Sequence, residues 1–187
     1  MIARNKAGQV VLAYHGTQNN LVGGIIENGF KVSQNQYDWL GDGVYFFQDA
    51  PVRAKFWGNS QYGSQSAVIG AKINLTGCMD LIDVSWSHFL ADIYNELIEK
   101  FKTEKVPIPV QSNGAHRLDR AVLNYAINSL QDTGVVVKSI RGVFAEGDAI
   151  YPNSALFDKS HVQIAVRDVS VIEEVWTENI EKEFNND

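Results

Sequence analysis

The chain has 187 residues, 45% apolar and 20% charged, with a net charge of −6. That length suits one domain with its own core and is short for two, and the composition is that of a globular protein. The acidic balance excludes a broad basic footprint on duplex nucleic acid, where many Lys and Arg must neutralise phosphates, but leaves room for a small patch on a single strand.

Residues 10–15, Val-Val-Leu-Ala-Tyr-His, are β-rich and apolar and read as a buried strand. Asn19-Asn20 then precede Leu21, Val22, Ile25 and Ile26, a short helix with Gly29 as its C-terminal cap. Gly43 to Phe47 is a second strand, and Pro51 opens a helix running towards Trp57. Residues 67–75 form a third strand ending at Thr76-Gly77. Phe89, Ile93, Leu97 and Phe101 recur every four residues and predict a helix over 86–101. Pro107 and Pro109 make 103–114 a loop, and Leu118, Val122, Tyr125 and Ala126 predict a second helix over 116–130. The chain is β-rich again over 135–144, loops through Gly147, Pro152 and Asn153, and alternates apolar and polar residues over 161–168. A last strand spans 172–176, and the acidic tail from about 178 is a frayed helix or disordered. The expected class is α+β, with strands towards both ends of the chain and helices between them.

No internal repeat appears, and no apolar run is long enough to span a membrane. The first eight residues lack the apolar stretch of a signal peptide. One cysteine, Cys78, cannot form an internal disulfide, and the four scattered histidines predict no metal centre, so a cytoplasmic setting is the default.

Three segments place polar or aromatic groups where a strand meets glycine. In Tyr14-His15-Gly16-Thr17, the glycine leaves backbone N–H and C=O open to a close ligand, and His15 can bond a sugar hydroxyl. The same pair also suits a histidine that merely closes a strand. In Trp39-Leu-Gly-Asp-Gly-Val-Tyr-Phe-Phe47, Tyr45 points opposite to Val44 and Phe46. In Arg53-Ala-Lys-Phe-Trp57, Phe56 or Trp57 can stack with Tyr45 on a flat heterocycle. Both aromatic sets also suit a core.

In order and spacing, these segments resemble the poly-ADP-ribose-polymerase-like branch of the ADP-ribosyltransferases, the histidine-tyrosine class with the diphtheria-toxin fold. The resemblance runs from Tyr14-His15-Gly16-Thr17 through Gly24 to Phe30, then Leu40 to Phe46, Ala54 to Trp57 and Val68 to Leu81, and loosely over 161–168. It implies a single ADP-ribosyltransferase domain over 1–187, with split antiparallel sheets around an NAD cleft and a helical insert at about 85–130. It implies NAD⁺ as substrate, with His15 on the nicotinamide ribose, Gly16 at the carboxamide and Thr17 beside them among the cofactor-binding residues. Tyr45 and Phe56 would pack on the ring.

That family usually carries a glutamate early in a late strand, and here Gln163 stands in its place. Glutamine can bond a hydroxyl but cannot take its proton, which argues for transfer of one unit rather than chain building. Glu146 is the candidate carboxylate, or else a solvated loop acid. Arg53 falls where the family often has a serine touching the carboxamide, and either alters the pocket or meets the pyrophosphate. Asp148, Tyr151 and His161 are weaker candidates for acceptor contacts. Arg117 and Arg120, three apart on the second insert helix, could bind phosphate or form a solvated face.

The resemblance thus implies a mono-ADP-ribosyltransferase, a bacterial toxin or phage-defence effector with an antitoxin partner. Its acceptor would be a protein or single-stranded RNA or DNA. The alternatives are an NAD or ADP-ribose-binding module without turnover, which Gln163 favours, and an NAD-dependent RNA 2′-phosphotransferase, for which basic residues are too few.

Overall fold

The computed structural model describes residues 6–35, 37–111 and 115–180. Its strands are β1 (Val10–Gln18), β2 (Val44–Gln48), β3 (Ser66–Asn74), β4 (Cys78–Asp80), β5 (Ser139–Phe144), β6 (His161–Val166) and β7 (Ile172–Glu178). Its helices are α1 (Val22–Asn28), α2 (Pro51–Tyr62), α3 (Ser85–Glu104) and α4 (Arg117–Asp132). The class is α+β. Most of the expected acidic tail lies outside the described residues.

Two separate antiparallel sheets are not what forms. The strands join in one seven-stranded sheet, ordered β4-β5-β6-β2-β1-β3-β7, and β4 runs parallel to β5. The join in its middle is narrow, however. β1 meets β2 only at Ala13 with Gln48 and Tyr14 with Phe47, whereas β1 pairs with β3 along its whole length from Val10 to Gln18. Beyond Tyr14 the two halves diverge, so a seam opens in the sheet.

Period-two alternation gives each face its own role. Val44, Phe46, Ile164, Val166, Ala13 and Ala71 bury one face. On the other, Ile140 and Ala165 receive α3 and α4, whose Ile93, Leu97, Val122 and Leu123 form a second core. The strict helical period of both insert helices follows from this burial, since each offers one apolar stripe to the sheet. α2 covers the same face farther along, through Ala54 against Phe47 and Val68. Contrary to the expected buried strand, Val10 and Leu12 are exposed. An apolar run does not reveal which stretch of a strand a helix will cover.

Gly29 caps α1 in a positive-φ conformation, as its position predicts.

Candidate functional site

The open seam forms a cavity of about 850 Å³. Its lining includes His15, Gly16, Tyr45, Arg53, Glu146 and Gln163, so six of the eight site residues read from sequence share one cleft. Thr17 and Phe56 do not line it. Thr17 is buried elsewhere in the sheet, and Phe56 turns outward, 55% exposed. The correction at α2 is a helical one. Arg53, Trp57 and Gln61 line the cleft at intervals of four, with Tyr62 beside them at the helix end, so Trp57 faces the cleft and Phe56 stands about 100° away.

His15 marks the point where the seam opens. Its Nδ1 lies 2.8 Å from the Tyr45 carbonyl. A carbonyl only accepts, so Nδ1 carries the proton and Nε2 offers a lone pair. That Nε2 has no partner among the described residues. Burial pushes the imidazole below the ordinary histidine value of 6.5, with the Tyr45 bond acting weakly in the other direction, so the ring is neutral at pH 7. Phe30 and Phe46 pack on it at centroid distances of 5.2 and 5.7 Å.

Strand geometry sets the direction of the Gly16 backbone. Asp49 N–H donates to the Leu12 carbonyl on the β2 side of β1, and Leu75 N–H donates to the Gln9 carbonyl on the β3 side. Backbone groups alternate from one residue to the next, so the N–H and C=O of Gly16 face the β2 side. β2 has already left the ladder there. One donor and one acceptor therefore stand side by side at an open strand edge. The missing side chain has a further cause: a Cβ on Gly16 would lie 2.6 Å from the Ala54 carbonyl oxygen of α2.

Tyr45 is a strut as well as a wall. Its hydroxyl donates to the Gly41 carbonyl at 2.7 Å and accepts from Leu40 N–H at 2.8 Å, which fixes the turn before β2. Burial, with Asp38 adding to it, pushes the phenol well above its ordinary range, so it stays a donor. Gly41 has φ +80, open to glycine at little cost. Replacing Tyr45 by Phe strands two buried backbone groups and is expected to cost about 1–3 kcal/mol. A urea midpoint equal to that of the parent protein would disprove this bracing role.

Arg53 and Glu146 meet across the cleft, Nη2 to Oε2, at 2.5 Å. The guanidinium lies 5.1 Å from the Phe47 ring centroid. Its buried Nε has no hydrogen-bond partner. Gln163 accepts a hydrogen bond at Oε1 from the Trp39 indole N–H. Trp39, His116 and Phe144 also line the cleft and were not read as site residues. Trp39 opens a segment that stands out in the sequence, but nothing local ties it to His116 and Phe144, because the chain brings the three together from distant segments. For Trp57, the four-residue spacing from Arg53 was a usable signal.

Arg120 is not available for phosphate along the insert face. Its Nη2 is 2.7 Å from Asp42 Oδ1, which ties α4 to the loop before β2. Arg117 is exposed and does not line the cleft. His161 is buried beside the Phe47 ring at 4.8 Å, with Nδ1 bonded to the Lys159 carbonyl. Asp148 and Tyr151 lie in the loop after β5, outside the cleft lining.

The partly buried His15 and the buried His161 make stability depend on pH in a definite direction. Burial lowers His15, and it lowers His161 too, with Arg53 assisting and the Lys159 carbonyl and Glu146 opposing. Below 6.5 the unfolded chain therefore binds more protons at these sites than the folded one, so stability falls as pH drops through that value and is level above it. We expect a lower Tm at pH 5.5 than at 7.5, and a smaller drop when His15→Asn and His161→Phe are combined. An equal drop in both proteins would rule the histidines out as its source.

Among the described residues no helix is long and apolar enough to cross a membrane, and no three metal-ligating side chains converge. No protein-family model matches the chain, and no curated protein matches it.

Proposed function

We propose that the cleft is the NAD⁺ site of an ADP-ribosyltransferase and that the seam is the split of that fold. The observation that carries this reading is the open edge at Gly16. Its paired donor and acceptor match a carboxamide, next to the bare Nε2 of His15 and the rings of Tyr45 and Trp57. The guanidinium of Arg53, a cleft-lining side chain, supplies donors suited to the pyrophosphate.

In the proposed reaction, the bond between ribose C1′ and the nicotinamide ring nitrogen breaks, and its electron pair stays with nicotinamide. C1′ then bonds to a lone pair of the acceptor, whose proton passes to Glu146 or to solvent. His15 Nε2 accepts a ribose hydroxyl and holds C1′ in line with the acceptor. Developing positive charge on the ribose is met by the carboxylate of Glu146 once ligand binding draws Arg53 towards phosphate. The acceptor is a protein or a single nucleic-acid strand, and the setting that of a cytoplasmic bacterial toxin or phage-defence effector held by an antitoxin.

A binding module without turnover is the second reading. It is favoured by the neutral amide of Gln163 and by the pairing of Glu146 with Arg53. Incubation with labelled NAD⁺ and lysate, followed by protease or nuclease, separates the two. Label on a macromolecule supports transfer, while bound, intact NAD⁺ without label leaves only the module. If transfer occurs, Glu146→Gln should lower turnover by about a hundredfold, and unchanged turnover removes Glu146 from the mechanism.

A further inference from the structure

The transfer step leaves one wall of the cleft without a use. Trp39 comes from the loop before β2, Phe144 ends β5, and His116 precedes α4. Their rings meet, with Trp39 and Phe144 centroids 4.8 Å apart and tilted by 37°, and His116 5.5 Å from Phe144. All three line the cavity beside Gln163 and Glu146.

At the rim of this shelf the Gln163 amide has a fixed orientation. An indole N–H can only donate, so the amide oxygen must be the atom that faces Trp39. The amide NH₂ is left over. It has no partner among the described residues and belongs to a cleft-lining side chain. Trp39 is thus a positioning residue, which turns Gln163 into a hydrogen-bond donor where a glutamate would have been an acceptor.

We infer that the shelf is a nucleobase subsite. A flat heterocycle extends the Trp39–Phe144 stack from the cleft side, and an acceptor on its edge, a ring nitrogen or carbonyl oxygen, takes the Gln163 NH₂. An aliphatic protein side chain has no face for these rings and gains little from them. The base comes either from the adenine end of NAD⁺ or from an unpaired position of a single strand. The adenine source rests on the NAD⁺ reading above, and the strand source does not.

The test titrates the intact protein calorimetrically with AMP, nicotinamide mononucleotide and NAD⁺. A short labelled mixed-sequence strand of DNA or RNA is titrated by anisotropy, with the matched duplex as control. Phe144→Leu and Gln163→Leu are compared with the parent protein, and Tm is checked for each. Base stacking of about 1–3 kcal/mol corresponds to a loss of about 5- to 150-fold, so about tenfold weaker binding of the base-bearing probe is expected for Phe144→Leu. A similar loss is expected for Gln163→Leu, with nicotinamide mononucleotide unaffected by Phe144→Leu.

If AMP and NAD⁺ weaken and the strand does not bind, adenine is the source. If the strand binds with NAD⁺ present, better than duplex, and weakens in both variants, the strand is the source. Strand binding of this kind without any NAD⁺ binding sinks the proposed function and leaves the subsite standing. The subsite is overturned if neither AMP nor strand binds the parent protein, or if folded variants bind both as the parent does.

Discussion

Replacing His15 by Asn is expected to reduce NAD⁺ turnover by about a hundredfold and to lower Tm by only a few degrees. The substitution separates the two ends of the imidazole. An Asn amide nitrogen stands near the place of Nδ1 and can still donate to the Tyr45 carbonyl, the bond that spans the seam at 2.8 Å. Nothing replaces Nε2, the atom that faces the cleft with a free lone pair. His15→Ala removes both ends and the ring between Phe30 and Phe46, so it should lose stability as well as turnover. NAD⁺ consumption and thermal melting of the two variants give the comparison. If Asn restores turnover to the parent rate, His15 is a seam clamp and not a ribose contact, and the NAD⁺ reading loses its main polar group.

The parts of this molecule that sequence made legible are those whose causes are local. The helices α3 and α4 were readable because each buries one stripe, and β6 because Val162, Ile164 and Val166 alternate with Gln163 and Ala165. β4 was not, since three residues carry no period and their parallel partner β5 lies some sixty positions on. At the site, His15, Gly16 and Tyr45 could be found because each lies in a recognisable strand with glycine nearby. The Trp39 bond to Gln163 joins positions 124 apart, and no spacing rule reaches that far. Arg120 shows a related limit: helix periodicity places it on a face but does not show Asp42 waiting opposite. Phe56 and Trp57 show a finer limit, since one step along a helix turns a side chain from cleft to solvent.

Gly16→Ala should damage both fold and site, and it tests whether the close approach of α2 is needed. The new Cβ would lie 2.6 Å from the Ala54 carbonyl oxygen, 3.0 Å from Trp57 Cε3 and 3.2 Å from Gly58 N. Two of these neighbours are backbone atoms of a helix, so no rotamer change relieves the contact and α2 must move away from β1. Overpacking of this kind costs about 1–3 kcal/mol. The same shift carries Arg53, Trp57 and Gln61 outward, because all three line the cleft from α2. NAD⁺ affinity should therefore fall further than a stability loss alone explains. Two other glycines calibrate the effect. A Cβ on Gly58 presses only mildly, on the Ser66 Cβ at 3.3 Å with ordinary contacts to Gly16 Cα at 3.7 Å and the Ala67 carbonyl oxygen at 3.8 Å, and a Cβ on Gly24 in α1 meets nothing within 4 Å. Gly58→Ala should accordingly be milder, while Gly24→Ala should stabilise by about 0.4–1 kcal/mol through the unfolded chain. Urea denaturation of the three variants, read beside NAD⁺ binding, gives the ranking. If Gly16→Ala ranks with Gly24→Ala in both, α2 does not depend on the bare backbone of Gly16, and the strand edge beside it is not held as tightly as a carboxamide clamp requires.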